Sequence, residues 1–220
     1  MTIYRELGDE INSAWALIFL GSQCTGSLSE IKESFALIEE ALDLFRAQDD
    51  KPGIIRALNS LGEAARLDGD YDRAGRAYEE CLALCHESGD RLREAFAFGN
   101  LGLVAQYQGR YEQAESHMIK ALRLLIDLNT KYVLALALVI LSGPVAARGN
   151  PERAAQLLGA SDALLKAMGL GLQPADQPEV DRFTAAVREQ LDEENYQSAW
   201  TKGQAMSLEQ ATAFALEGDT

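Results

Sequence analysis

The sequence is short of the residues that end helices, cross-link chains or carry familiar chemistry. Five prolines in 220 residues leave room for long uninterrupted helices, because an interior proline removes a backbone hydrogen bond. Three cysteines, odd in number and irregular in spacing, make no disulfide framework. Two histidines leave a tetrahedral metal set hard to assemble. No stretch reaches 18 consecutive apolar residues, which argues against a membrane span. The opening "MTIYRELGDE" has neither the basic nor the apolar region of a signal peptide. There is no G-x-x-x-x-G-K-S/T phosphate loop, no H-E-x-x-H and no G-x-S-x-G. "GLGLQP" at 169–174 starts like a dinucleotide motif but lacks the third glycine and a preceding strand. We expect no enzyme, no metal and no cofactor, in a cytoplasmic protein.

Basic charge is also scarce. Lys and Arg number 20 against 34 Asp and Glu, a formal net charge of −14. Such a chain is repelled by nucleic-acid phosphates and anionic lipid, so neither is expected as a direct partner.

What is present is repetition. "LDGDYDRAGRAYEECLALC" at 67–85 returns as "YQGRYEQAESHMIKALRLL" at 107–125 and as "ARGNPERAAQLLGASDALL" at 147–165. A period near forty marks a stack of units that bury their faces against their neighbours. Each unit holds two helix-period stretches. In one, Ile54, Ile55, Leu58, Leu61, Ala65 and Leu67 follow the spacing of a single buried face. Gly69, Gly109 and Gly149 stand where a left-handed residue closes a helix. Asp70 and Asn150 suit N-caps, and Pro151 suits a first helical turn. Ala74, Ala114 and Ala154 fall in register, as do Ala41, Cys81, Ala121 and Ser161. Gly62 and Gly102 are the corresponding small residues on the first helix, and Tyr78, Met118 and Leu158 fill the large position between the small ones of the second, so one packing geometry recurs.

Leu61-Gly62, Gly69-Asp70-Tyr71, Ala74, Tyr78 and Cys81, echoed by Leu101-Gly102, Gly109, Tyr111, Ala114 and Ala121, resemble the tetratricopeptide repeat pattern. With about six residues more per unit than the usual 34 or so, the helices should be longer. The fold class expected is all-α: a right-handed superhelical solenoid of antiparallel helix hairpins with a C-terminal helical cap. The repeats are expected at about 11–50, 51–90, 91–130 and 131–168. Residues 1–10 resemble the end of a truncated upstream repeat, because "YRELGD" aligns with "CHESGD" at 85–90; an intact but unusual capping helix is the alternative. Residues 169–220 form the cap, with Ser207 and Gln210 at capping-box spacing.

In this family the first helix of each hairpin lines a concave surface. The resemblance therefore implies a groove of Arg56, Asn59, Glu63 and Arg66, continued by Phe96, Asn100, Leu103, Gln106 and Tyr107. An Asn amide can donate to and accept from a bound peptide backbone, and Arg can grip a carboxylate in a fork. The partner expected is a protein or peptide, with a small-molecule effector or a homodimer as further options. A second resemblance covers residues 150–217. "ERAAQLLGASDALLKAMG", Pro174, "YQSAW" and "GQAMSLEQATAFALE" are similar to the C-terminal end of bacterial LuxR-type regulators and signal-transduction ATPases. It implies the sensor or interaction arm of such a regulator. A free-standing adaptor or peptide-responsive protein, or a scaffold dimerising through its N-terminal edge, are the alternatives.

Three local features need a reading. Cys81 and Cys85 share a helix face with His86 nearby, but Cys81 stands where Ala41 and Ala121 stand, so packing is favoured over metal binding. His117 lies among polar neighbours and is read as a surface residue. "YVLALALVILSGPVAARG" at 132–149 is apolar on nearly every side, so it should be buried all round. Pro144 should kink it, Trp200 and Phe214 are the candidates for what covers it, and an apolar ligand pocket under that cap is a second use of the surface.

Overall fold

Every regular element among the described residues is an α-helix. The computed structural model describes residues 8–23, 28–174 and 176–217. Most of the 1–10 segment expected to close an upstream repeat thus lies outside the described residues. Two compact units divide the chain, Met1–Ala97 and Phe98–Thr220. The first holds α1 (Glu10–Gln23), α2 (Leu28–Ala47), α3 (Lys51–Asp68) and α4 (Tyr71–Ser88). The boundary falls inside α5 (Arg91–Tyr107). The second unit continues with α6 (Tyr111–Asp127), α7 (Lys131–Ala147) and α8 (Pro151–Ala167), then α9 (Gln177–Arg188), α10 (Glu193–Gln204) and α11 (Leu208–Leu216).

One turn, used again and again, sets the helix lengths. Asp49, Gly69, Gly89, Gly109, Asn129, Gly149 and Gly169 all have positive φ, one left-handed residue every twenty positions. After each, the next N–H reaches back five residues: Asp70 to the Ala65 carbonyl at 2.9 Å, Arg110 to Ala105 at 2.8 Å, Leu170 to Leu165 at 3.0 Å. This Schellman closure satisfies carbonyls the helix end would otherwise leave orphaned. Glycine enters the left-handed region without a Cβ clash, and Asp and Asn tolerate it best among other residues. The forty-residue period is therefore two helices with the same stop.

Hairpins close through glycine. A Cβ on Gly62 would sit 2.5 Å from the Tyr78 ring, and one on Gly102 would sit 2.9 Å from Met118 Sδ. Gly21 plays the same part against Ile38. The small position one turn beyond carries a bond as well as a shape. Cys81 Sγ donates to the Ile55 carbonyl at 3.6 Å, and Ser161 Oγ, eighty residues on, donates to the Ala135 carbonyl at 2.8 Å. Cys81 is thus a packing residue, its thiol pushed well up by the hydrogen bond with Cys85 and by burial.

In the first unit Leu17, Ile38, Ala41, Phe45, Leu58 and Cys85 are among the fully buried core. Each large aliphatic side chain buried there stabilises by roughly 1.5–3 kcal/mol over an exposed one. Its described turns are capped by aspartate: Asp9, Asp50, Asp70 and Asp90 accept from the backbone N–H groups of Asn12, Gly53, Arg73 and Arg93 at 3.1, 3.3, 3.0 and 3.0 Å. Arg46–Glu80 at 2.6 Å, Lys51–Glu87 at 2.7 Å and the Arg73–Glu39 pair tie its hairpins at the surface, where solvent screening leaves each a small contribution.

The second unit is held differently. Arg110, Thr130 and Asn150 occupy the N-cap positions of α6, α7 and α8 and none makes a side-chain cap bond, so the cap expected of Asn150 is absent, although Pro151 does open α8. The Glu115 carboxylate is buried and paired with Arg148 and with Arg153 at 3.2 Å. Arg153 also donates to the carbonyls of Phe214 and Ala215, which fastens α11. Helix α7 is buried along most of its length and continues past Pro144 to Ala147. Its cover departs from expectation. Phe183 and Val187 of α9 are the buried residues that close it: a Cβ on Gly143 would lie 2.6 Å from the Phe183 ring. Trp200 lies on α10, which packs on α8, and Phe214 on α11, which reaches α6 and α8. Glycine decides that arrangement: a Cβ on Gly159 would meet the Trp200 carbonyl at 2.0 Å, and one on Gly203 would meet the Gln156 carbonyl at 1.9 Å. The Ser207–Gln210 capping box is formed.

Candidate functional site

Superposing the repeats by their sequence register gives a common face on the first helix of every hairpin. Its positions are 11, 15, 19 and 22 on α1, then 52, 56, 60, 63 and 67 on α3. They continue as 92, 96, 100, 103 and 107 on α5 and as 132, 136, 140, 143 and 147 on α7. The spacing keeps each set within one sector of its helix.

In the first unit this face is open. Ile11 is 42% exposed, Trp15 38%, Phe19 66%, Leu67 47%, Leu92 37% and Phe96 40%. Trp15 is held in place from beneath: its ring meets Phe45 edge-on at 5.1 Å. Phe45 in turn lies so close to Gly53 that a Cβ there would fall 2.2 Å from its ring. Behind the row, Gly21, Ser22, Ser34, Ser60, Ala64 and Ile38 join Arg56, Glu63 and Leu67 around a cavity of about 80 Å³. That space suits one side-chain tip. Arg56 and Glu63, seven residues apart on α3, are exposed at its rim and make no ion pair among the described residues. Asn59 and Arg66 are half-buried, and Arg66 lies beside the Tyr78 hydroxyl. Burial pushes that phenol up, and the Arg66 charge pulls against it.

In the second unit the same face is covered by the chain itself. Tyr107 Oη donates to the Glu179 carboxylate at 2.9 Å, and the Arg182 guanidinium stands 4.1 Å over the Tyr107 ring. Tyr132 Oη donates to Asp176 at 2.7 Å and accepts from the Gln173 N–H at 3.0 Å. Gln106 is packed under Phe183 beside Gly143, with its Oε1 buried and lacking a hydrogen-bond partner among the described residues.

The expected groove residues are therefore divided by the structure. Arg56, Asn59, Glu63, Arg66 and Phe96 stand in the first unit, with Arg56, Glu63 and Phe96 open to solvent. Asn100 is half-buried in the second. Leu103 is 7% exposed and belongs to the core, so it offers nothing to a ligand. Gln106 and Tyr107 are reached by the chain's own C-terminal region. Ile11 and Phe19 were not among the expected groove residues, although their four-residue spacing with Trp15 on the N-terminal edge was legible in the sequence. His117 also differs from its surface assignment: it is half-buried, its Nδ1 lacks a partner among the described residues, and burial first, then Lys120 and Arg110, lowers its pKa.

No group of three or more potential metal ligands is found among the described residues, and no described helix is long and apolar enough to cross a membrane.

A family profile described as tetratricopeptide repeat matches residues 12–87 and 54–127. No curated protein sequence matches the chain significantly. Among solved structures the apo form of RapI is similar at a TM-score of 0.68 and 17% identity, over 97% of this chain and 88% of that one. A kinesin light chain of nearly identical TPR-like repeats from Podosopora anserina gives 0.58 and 16%, over 89% and 96%. BtubC (BKLC) from P. vanneervenii gives 0.57 and 18%, over 100% and 93%. At such identities the likeness is one of fold.

Proposed function

The chain belongs to the tetratricopeptide repeat family, and we propose that it is a non-catalytic protein- or peptide-binding domain whose working surface is the open face of its first unit. One observation carries this reading. Among the described residues, seven of the nine exposed large apolar side chains lie in that unit, and six of the seven stand on one register face. Apolar side chains gathered on a single face mark an interaction site, whereas scattered ones need no explanation. Arg56 and Glu63 at the cavity rim would supply the polar contacts that orient a partner.

The finer role is the sensor or interaction arm of a larger bacterial regulator, supported by the resemblance of residues 150–217 to the C-terminal end of such proteins. Binding on the first unit would bias an attached ATPase only as far as the partner prefers one of its states. The source cell's own polypeptide tests that role: a band well above 24.0 kDa on an immunoblot raised against this segment supports it, and a band at that mass favours the free-standing adaptor.

The binding reading itself has a direct test. Phe19→Asp combined with Phe96→Asp alters exposed positions and should leave the fold intact. The partner retained from a source-cell extract by the parent chain should be lost by the double variant. Retention of an unchanged set of proteins by that variant would end the proposal.

A further inference from the structure

Resting on the reading that the first unit's open face is a docking surface, we propose that its occupant is a basic amphipathic α-helix of a partner protein. The warrant is internal. The second unit presents the same register face, and a helix lies on it. There α9 places Phe183, 2% exposed, and Val187, fully buried, one turn apart, with Phe183 seated on Gly143. Its approach is fixed by polar contacts at the flanks, Glu179 to Tyr107 and Asp176 to Tyr132.

Position 143 corresponds to position 63, and Glu63 lines the first unit's cavity. A hole filled by an aromatic side chain in one unit is thus matched by an empty cavity at the equivalent place in the other. The flanks change in character. Where the second unit has Tyr107 and Tyr132, the first has Leu67, Leu92 and Ile11, all exposed. A helix lying there gains apolar contact at both ends of the face, where α9 gains hydrogen bonds.

Charge selects the sign of the partner. Over residues 8–97 there are two acidic side chains for each basic one; at the cavity Glu63 places a carboxylate where the second unit has Gly143, with Arg56 as the cation on the same rim. An acidic helix would meet repulsion there; lysines and arginines flanking the apolar stripe would be attracted and would speed encounter. The helix-in-groove mode reads such a partner through apolar anchors spaced at three and four residues.

A peptide of residues 173–190 supplies a probe already shaped for this kind of face. One version carries Glu179→Lys, Asp181→Lys and Glu189→Lys, and a second adds Ala185→Pro to prevent helix formation. The full chain with Trp200→Phe leaves Trp15 as the sole tryptophan, so its emission reports on the face. The basic helix should shift that emission to the blue and saturate. Phe19→Asp should weaken binding about thirty-fold, the loss of one well-buried apolar anchor, and the unsubstituted acidic peptide should bind about ten-fold less tightly, as for loss of a close charge pair.

If the proline peptide binds as tightly and remains sensitive to Phe19→Asp, the face docks an extended segment; the helix is then wrong and the docking surface stands. If every peptide's binding ignores Phe19→Asp, both fail together. A dimer seen by light scattering and abolished by Phe19→Asp would make a second copy the occupant and overturn the proposal. No binding by the basic helix overturns it as well, leaving the docking surface to the extract test.

Discussion

The first unit exposes Ile11, Trp15 and Phe19 along one helix, while the second places Phe183 and Val187 over the corresponding face of α7. Both units use the same turn, the same glycine-to-large-residue closure and the same small position that bonds a carbonyl across the hairpin. They differ in what happens once the hairpins are built. Aspartate caps and surface ion pairs stabilise the first, and its register face stays uncovered. Neutral or basic residues stand at the caps of the second unit's repeat helices α6, α7 and α8, and the unit is secured by added helices and by the buried Glu115 group. A repeat specifies how hairpins pack on themselves and leaves their outward face free, so covering or exposing that face is a separate decision, made by a few side chains.

The comparison can be broken most severely at Phe183. Phe183→Ala removes the side chain that fills the space over Gly143 and should cost about 4 kcal/mol, in the range for a buried aromatic truncated to alanine. The second unit should then resemble the first, with its α7 face open. A hydrophobic dye should bind the variant and barely bind the parent, and hydrogen exchange should rise in α9 before the rest. Unchanged exchange across α9 would show that Phe183 does not hold it down.

A smaller effect is expected at Gly203. Its replacement by alanine puts a Cβ 1.9 Å from the Gln156 carbonyl, and backbone cannot swing aside as a side chain can. Helix α10 must move away from α8, at about 3 kcal/mol, the upper part of the range for overpacking. The same change at Gly69 meets open space but sits at a φ of 82°, so its cost is conformational, on the order of 1 kcal/mol. Thermal unfolding of the two variants separates steric from conformational use of glycine.

The hairpins were legible because their signals are local. Gly69, Gly109 and Gly149 announce left-handed stops, and Leu-Gly pairs announce close approach. Asp49 and Asn129 take the same stop and complete the twenty-residue rhythm, yet neither residue type demands it. The cover on α7 was misread for another reason. Trp200 and Phe214 are large and distant in sequence, so size drew attention to them. Phe183 was chosen by shape: Gly143 leaves a gap that accepts a ring, and Val180, Phe183 and Val187 were spaced along one side of α9 to supply it. Leu103 was read as groove-facing from its place in the register alone. A leucine at that place sinks into the core, where Glu63 at the equivalent place reaches solvent.

The finest distinction between the units lies in their caps. Asp70 accepts from the Arg73 N–H at 3.0 Å, while Asn150, eighty residues on, makes no side-chain cap bond. Asp70→Ala should therefore cost about 1 kcal/mol, the usual loss for a working N-cap, and part of that comes from a carboxylate at the positive end of a helix. Asn150→Ala should cost a few tenths at most, because no bond is lost and Pro151 already sets the first turn's φ. Denaturant midpoints of the two variants against the parent give the comparison directly. Equal losses would mean that Asn150 caps its helix in solution, and the contrast between aspartate-capped and uncapped turns would fall. A loss confined to Asp70→Ala would show that the first unit, which has no added helices over its register face among the described residues, relies on each of its turns more than the second does.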